Sequence, residues 1–118
     1  MNVTFETLAR TTLVIPQGRL DFGAADGFQK RIEEGLAGAG SAPAALIVDC
    51  SALDYVSSAG LRVFLTSARA AQRAGIAFAL CALQPAVREV IDVSGFSRII
   101  TVYADRATAL AHTGPTRE

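Results

Sequence analysis

The sequence has no tryptophan, a single histidine, only two cysteines and no net charge. Each scarcity removes a class of function. One histidine and two strand-embedded cysteines cannot assemble a transition-metal site, so neither a metal nor a cofactor is expected. Cys50 and Cys81 fall inside the apolar runs "ALIVDC" and "IAFALC", where a free thiol packs as a small hydrophobe. Eleven basic residues against eleven acidic ones leave no excess with which to hold nucleic-acid phosphates or an anionic membrane. No apolar run approaches the ~20 residues that span a bilayer, and no charged-then-apolar leader opens the chain. Direct membrane insertion is therefore not expected, and the chain reads as cytoplasmic. Catalytic motifs are missing too: there is no G-x-S-x-G elbow, no S-x-x-K pair and no glycine-rich phosphate loop. His112, the one candidate base, lies near the end of the chain, far from any serine it could activate. The protein is read as a non-enzyme.

What is present is a strongly patterned chain, 51% apolar over 118 residues, enough for one domain with a core of its own. "NVTFETLARTTLVIPQG" alternates and implies strands at 3–8 and 11–16 around a tight turn at Ala9-Arg10, ended by Pro16 and Gly18. Ala25, Phe28, Ile32 and Leu36 recur at helical spacing between Gly23 and Gly38. "AGAGSAP" reads as a loop, and "AALIVDC" (44–50) as a strand buried on both faces. Leu61, Phe64, Leu65, Ala68 and Ala71 form the inward stripe of a second helix that stops at Gly75. "IAFALCAL" (76–83) is a further strand. Pro85 then opens a helix with Val87, Val90 and Ile91 inward; "RIITVY" gives a fifth strand, and Asp105 caps a terminal helix. The order ββαβαβαβα predicts a single α/β domain: a mixed, mostly parallel sheet of about five strands with an opening β-hairpin and about four helices. No large apolar stripe is left over once the core is assigned, which favours a monomer.

The stretch "SALDYVSSAGL" (51–61) sets two serines between a buried strand and a helix, in the kind of loop where open α/β sheets collect ligands and chemistry. A hydroxyl there can simply cap the helix, and an anion there is tolerated by the unpaired N–H groups. With no base to activate it, such a serine either binds something or is itself modified.

Three segments carry a family resemblance: "GRLDFGAA" (18–25), "LIVDCSALDYVSSAGLRVFL" (46–65) and "LQPAVREVIDVSGFSRII" (83–100). The chain resembles the STAS domain proteins, and in particular the bacterial anti-sigma factor antagonists. The resemblance implies a STAS domain over residues 1–113, with 114–118 a short flexible tail. It implies partner switching. The serine before the x-G-L triplet, here Ser58 before Ala59-Gly60-Leu61, would be phosphorylated by a partner that is both anti-sigma factor and serine kinase. The unmodified protein would bind that kinase, and a PP2C-type serine phosphatase would restore it. Where many antagonists have aspartate before and serine or threonine after the phosphoacceptor, this chain has Ser57 and Ala59, which makes Ser57 a rival acceptor. The implied partner surface comprises Asp21, Ser57, Ser58, Ala59 and Gly60. To these are added Arg62, Thr66, Arg69 and Arg73, an outward stripe suited to an acidic partner; Asp21 serves equally as a helix cap. Two other readings stay open: a STAS subunit of an ABC-type lipid transporter, or a small-ligand or nucleotide sensor using the Asp21, Ser57 and Ser58 crevice.

Overall fold

The alternation of the first twenty residues becomes a hairpin in the computed structural model, which describes residues 1–38 and 42–113. Strands β1 (Asn2–Leu8) and β2 (Thr11–Leu20) pair antiparallel, with Leu8 opposite Thr11 and Asn2 opposite Gln17. The turn is Ala9-Arg10, and Ala9 takes the positive φ, 55°, that such short loops need. β2 runs past Pro16 and Gly18, where the sequence implied a stop. It pairs with β3 (Ala45–Asp49) only as far as Val14 and with β4 (Leu53–Val56) only from Gly18. Pro16 falls in the gap between these two parallel partners, so its missing N–H interrupts neither ladder. Gly18, at φ 106°, occupies a conformation side chains resist, beside the register shift that lets β2 continue along β4.

The remaining elements are α1 (Phe22–Ala37), α2 (Ser58–Ala74), β5 (Ala77–Cys81), α3 (Pro85–Val93), a 3₁₀ turn (Phe96–Arg98), β6 (Thr101–Tyr103) and α4 (Arg106–Thr113). The strands lie in the order β1-β2-β3-β5-β6 with β4 beside the far end of β2, and only the hairpin is antiparallel. The sheet is thus mixed and mostly parallel, with six strands where about five were expected. The additional strand, β4, was hidden inside the serine loop: it has four residues, and the middle two, Asp54 and Tyr55, are exposed. The last strand is shorter than "RIITVY", because Arg98 belongs to the 3₁₀ turn.

One face of the sheet carries α1, α2 and α3. Leu46, Val48 and Leu80 meet Phe28, Ile32, Phe64, Val87 and Ile91 there, and Phe28 and Phe64 touch edge-on at 5.9 Å. α4 covers the opposite face, where Ala109 and the half-buried Leu110 pack on Leu13, Ile47 and Cys81. β3 is buried along its whole length, the consequence of being covered on both sides. On α2 the inward stripe is shifted from expectation: Val63 and Ser67 are buried with Leu61, Phe64 and Ala71, while Leu65 and Ala68 are half-buried. Val90 is exposed rather than inward, because Val87 and Ile91 already fill the narrow contact of the short α3. Residues 39–41 of the "AGAGSAP" loop and the expected tail 114–118 lie outside the described residues.

Candidate functional site

Two helices start side by side because two parallel strands end together. Leu20 of β2 pairs with Val56 of β4, and the next residue of each chain segment, Asp21 and Ser57, leaves the sheet in extended conformation as a helix cap. The Asp21 Oδ1 accepts the Ala24 N–H at 3.0 Å. The Ser57 Oγ accepts the Gly60 N–H at 3.2 Å, and the Ser57 N–H donates to the Leu20 carbonyl at 2.9 Å, pinning the start of α2 to the end of β2. Ser57 thus fills the capping position for which aspartate is an equally good residue. Its neighbour is left uncommitted: Ser58, the first residue of α2, is exposed and its hydroxyl makes no hydrogen bond among the described residues.

Gly60 explains how the helix can begin so close to the strands. A Cβ at this position would lie 2.6 Å from Leu20 Cγ and 2.9 Å from Val56 Cγ2. The first turn of α2 therefore rests directly on the β2–β4 pair, and the serine above it stands on a stiff floor.

The structure brings Asp21, Ser57, Ser58 and Ala59 together at this corner; Asp21 and Ser58 are exposed, Ser57 and Ala59 half-buried. Gly60 differs from the rest of the expected partner surface in being buried, so its part is to set the height of the helix. Arg62, Thr66, Arg69 and Arg73 are all exposed on α2, as the stripe required. Arg62 stands one turn above Ser58, whereas Arg69 and Arg73 are about 17 and 22 Å from Ser58 along the helix axis. The stripe is thus split between the corner and the far end of α2. A groove between α1 and α2 opens beside the corner, lined by Phe22, Asp26, Gln29, Ala59, Arg62 and Val63 among others; neither serine lines it.

Phe22 is the residue sequence reasoning passed over. It is the first residue of α1, directly after the Asp21 cap, and 83% exposed. The signal was available: Phe22 lies three residues ahead of the Ala25–Phe28–Ile32 stripe, directly after the Asp21 of the "GRLDFGAA" segment. Arg19 and Tyr55, paired across β2 and β4, add a second exposed feature, with the guanidinium 4.1 Å from the ring centroid.

Below the corner a charged clamp ties α4 to the sheet. Asp49, 4% exposed, receives two hydrogen bonds from Arg106, at 2.9 and 2.7 Å, and one from the Ser51 N–H at 3.0 Å. Arg106 also reaches Glu6 at 3.3 Å. Burial pushes the Asp49 carboxyl up, but the Ser51 N–H and the Arg106 guanidinium outweigh it and hold the group below its ordinary range. Gln84 closes the serine loop from the other side by donating to the Ser51 carbonyl at 2.8 Å. Cys50 and Cys81 point to opposite faces of the sheet and are free; burial pushes both thiols up, Cys81 to about 12. Among the described residues no group of His, Cys, Asp and Glu could hold a metal ion, and no helix is long and apolar enough to cross a membrane.

The arrangement joins an exposed serine, its hydroxyl unbonded among the described residues, to a capped helix start, on a mixed, mostly parallel sheet behind an opening hairpin as the sequence implied. The model of the STAS domain matches residues 2–109. The chain belongs to the STAS domain family. Over 66 residues this STAS domain is 44% identical to a protein of Bordetella bronchiseptica provisionally named an anti-sigma factor antagonist, a stretch covering 56% of this chain and 57% of that one. A provisionally named anti-anti-sigma factor of Mycobacterium tuberculosis is 30% identical over 92 residues, 76% of this chain and 62% of that one. The chain thus matches about three fifths of the length of each of these relatives. Among solved structures, a provisionally assigned anti-sigma factor antagonist of Thermotoga maritima superposes with a TM-score of 0.84 at 19% identity, over 94% of this chain and 93% of that one. The anti-sigma factor antagonist SpoIIAA matches in its unphosphorylated form, with a TM-score of 0.76 at 22% identity over 92% and 93% of the two chains. Its phosphorylated form matches with a TM-score of 0.70 at 21% identity over 93% and 97%. At these identities the likeness is one of fold.

Proposed function

We propose that this STAS domain is an anti-sigma factor antagonist whose unmodified form binds a serine-kinase anti-sigma factor and whose release follows phosphorylation of Ser58. A PP2C-type serine phosphatase reverses the mark. The observation that carries the reading is the division of labour between the two serines. Ser57 is half-buried and its hydroxyl is committed to the Gly60 N–H, whereas Ser58 stands exposed with its hydroxyl unbonded among the described residues. A kinase pocket that reaches Ser58 also meets Asp21, Ala59, Arg62 and the exposed Phe22, an apolar anchor beside a cation. The names of the two relatives support the same class, as does the occurrence of SpoIIAA in phosphorylated and unphosphorylated forms.

A phosphate brings about −1.5 to −2 charges to this corner. Where the partner presents carboxylates, a penalty of only ~3 kcal/mol lowers affinity more than a hundredfold. The test is incubation with the cognate kinase and ATP, followed by mass spectrometry of the intact chain and its peptides. A single phosphate on Ser58, absent in Ser58→Ala, together with loss of kinase binding by Ser58→Asp, is the expected result. A phosphate on Ser57 instead, or a Ser58→Asp protein that binds as tightly as the unmodified one, overturns the reading.

A further inference from the structure

We infer that Arg62 is the intramolecular counter-ion of a phosphate on Ser58, so that modification removes a cation from the docking surface as well as adding an anion to it. The inference rests on Ser58 being the modified residue. Ser58 and Arg62 are both exposed and lie four residues apart on α2, a spacing that puts their Cβ atoms about 5–6 Å from each other. Helical Cα–Cβ bonds tilt toward the N-terminus, so the long Arg62 side chain leans back over the turn that carries Ser58. An anion at the first of two such positions and a cation at the second is also the better orientation, because both then complement the helix dipole. The same chain forms a pair at this spacing on α3 with the order reversed, Arg88 to Asp92 at 3.3 Å.

Arg62 is available for the role. It makes no ion pair among the described residues, although Asp26 of α1 lines the same groove. The helix end is only partly open to a phosphate, since the Gly60 N–H is taken by the Ser57 hydroxyl and the Leu61 N–H by the Ser57 carbonyl, which leaves the N–H groups of Ser58 and Ala59 for it. Other cations are placed elsewhere: Arg19 sits over the Tyr55 ring, and Arg69 is about 17 Å along the helix from Ser58. A guanidinium offers two parallel N–H donors to phosphate oxygens, which an ammonium at the same place would not. In the unmodified protein Arg62 faces outward, free to meet a partner's carboxylates. Once Ser58 carries phosphate, the guanidinium turns to it.

The experiment installs phosphoserine at position 58 by genetic encoding in the full chain and follows the phosphate by 31P NMR against pH. A phosphoserine titrates near pH ~6, and an ion pair of this kind lowers the midpoint by about 0.4 pH unit. The midpoint is expected to rise by that amount in Arg62→Gln and to stay put in Arg69→Gln. The Arg62 Nε–H resonance should move on phosphorylation and return as the phosphate takes up its proton. Circular dichroism checks that both exposed-site variants are folded. Equal midpoints in the parent and Arg62→Gln, with an unmoved Nε–H resonance, overturn the inference. Because encoding bypasses any kinase, that result leaves phosphorylation of Ser58 standing, whereas a kinase that ignores Ser58 removes the function without touching the titration.

Discussion

Three of the four consecutive positions 57–60 at the corner, Ser57, Ser58 and Gly60, carry different physical burdens, and substitution separates them. Ser57→Ala removes the acceptor for the Gly60 N–H and is expected to cost about 1 kcal/mol in urea unfolding. Ser58→Ala, at an exposed hydroxyl, should change stability by no more than about 0.5 kcal/mol. Gly60→Ala pits two effects against each other. Alanine favours a helix interior by roughly 1 kcal/mol, but the added methyl would sit 2.6 Å from Leu20 Cγ, a branch point that cannot swing aside. Overpacking of this kind costs about 1–3 kcal/mol, so the net outcome is destabilisation, and the first turn of α2 must lift from β2 and β4. Thermal or urea unfolding reads the sign directly; a stabilised Gly60→Ala protein would show that the helix start is not seated as described.

At the scale of elements, α4 is held to the sheet by a small apolar patch and by the Arg106–Asp49 clamp. Arg106→Gln strands a buried carboxylate and is expected to cost about 1–3 kcal/mol at pH 7. The sign of its pH dependence follows from the lowered Asp49 value. The clamp's contribution is complete above the unfolded carboxyl's 3.8 and disappears as pH falls through the still lower folded value. Parent and variant should therefore converge in urea unfolding as pH drops below that window; a gap that persists in acid would deny the clamp its ionic character. The clamp also marks where elements were legible from sequence and where they were not. Buried β3 and amphipathic α1 and α2 announce themselves by composition and period, and the caps Asp21 and Asp105 by their place before a helix; the Asp105 Oδ1 does accept the Thr108 N–H, at 2.7 Å. β4 was missed because four residues with an exposed middle pair carry no periodic signal, and β2 was cut short because Pro16 normally punctuates a strand. Asp49–Arg106 joins residues 57 positions apart, which no local pattern reveals. The two serines were visible as a pair, but which of them caps and which faces outward depends on the Ser57 N–H meeting the Leu20 carbonyl, a tertiary contact.

For the molecule as a whole, the fold predicts that the corner can change its charge without the rest responding. Ser58→Asp should leave the unfolding free energy within about 0.5 kcal/mol of the parent and confine amide chemical-shift changes to the starts of α1 and α2. Shifts spread through β5, β6 or α4 would contradict this. The reason lies in how the start of α2 is seated, with Leu20 and Val56 pressed beneath Gly60 and the backbone tied to β2. There is no hinge at that junction and no slack for a lever to use. Under the proposed function, a domain built this way would not transmit its message through its interior; it would wear it, as a badge legible only to whatever touches that one corner, and the work of reading would fall to the other protein.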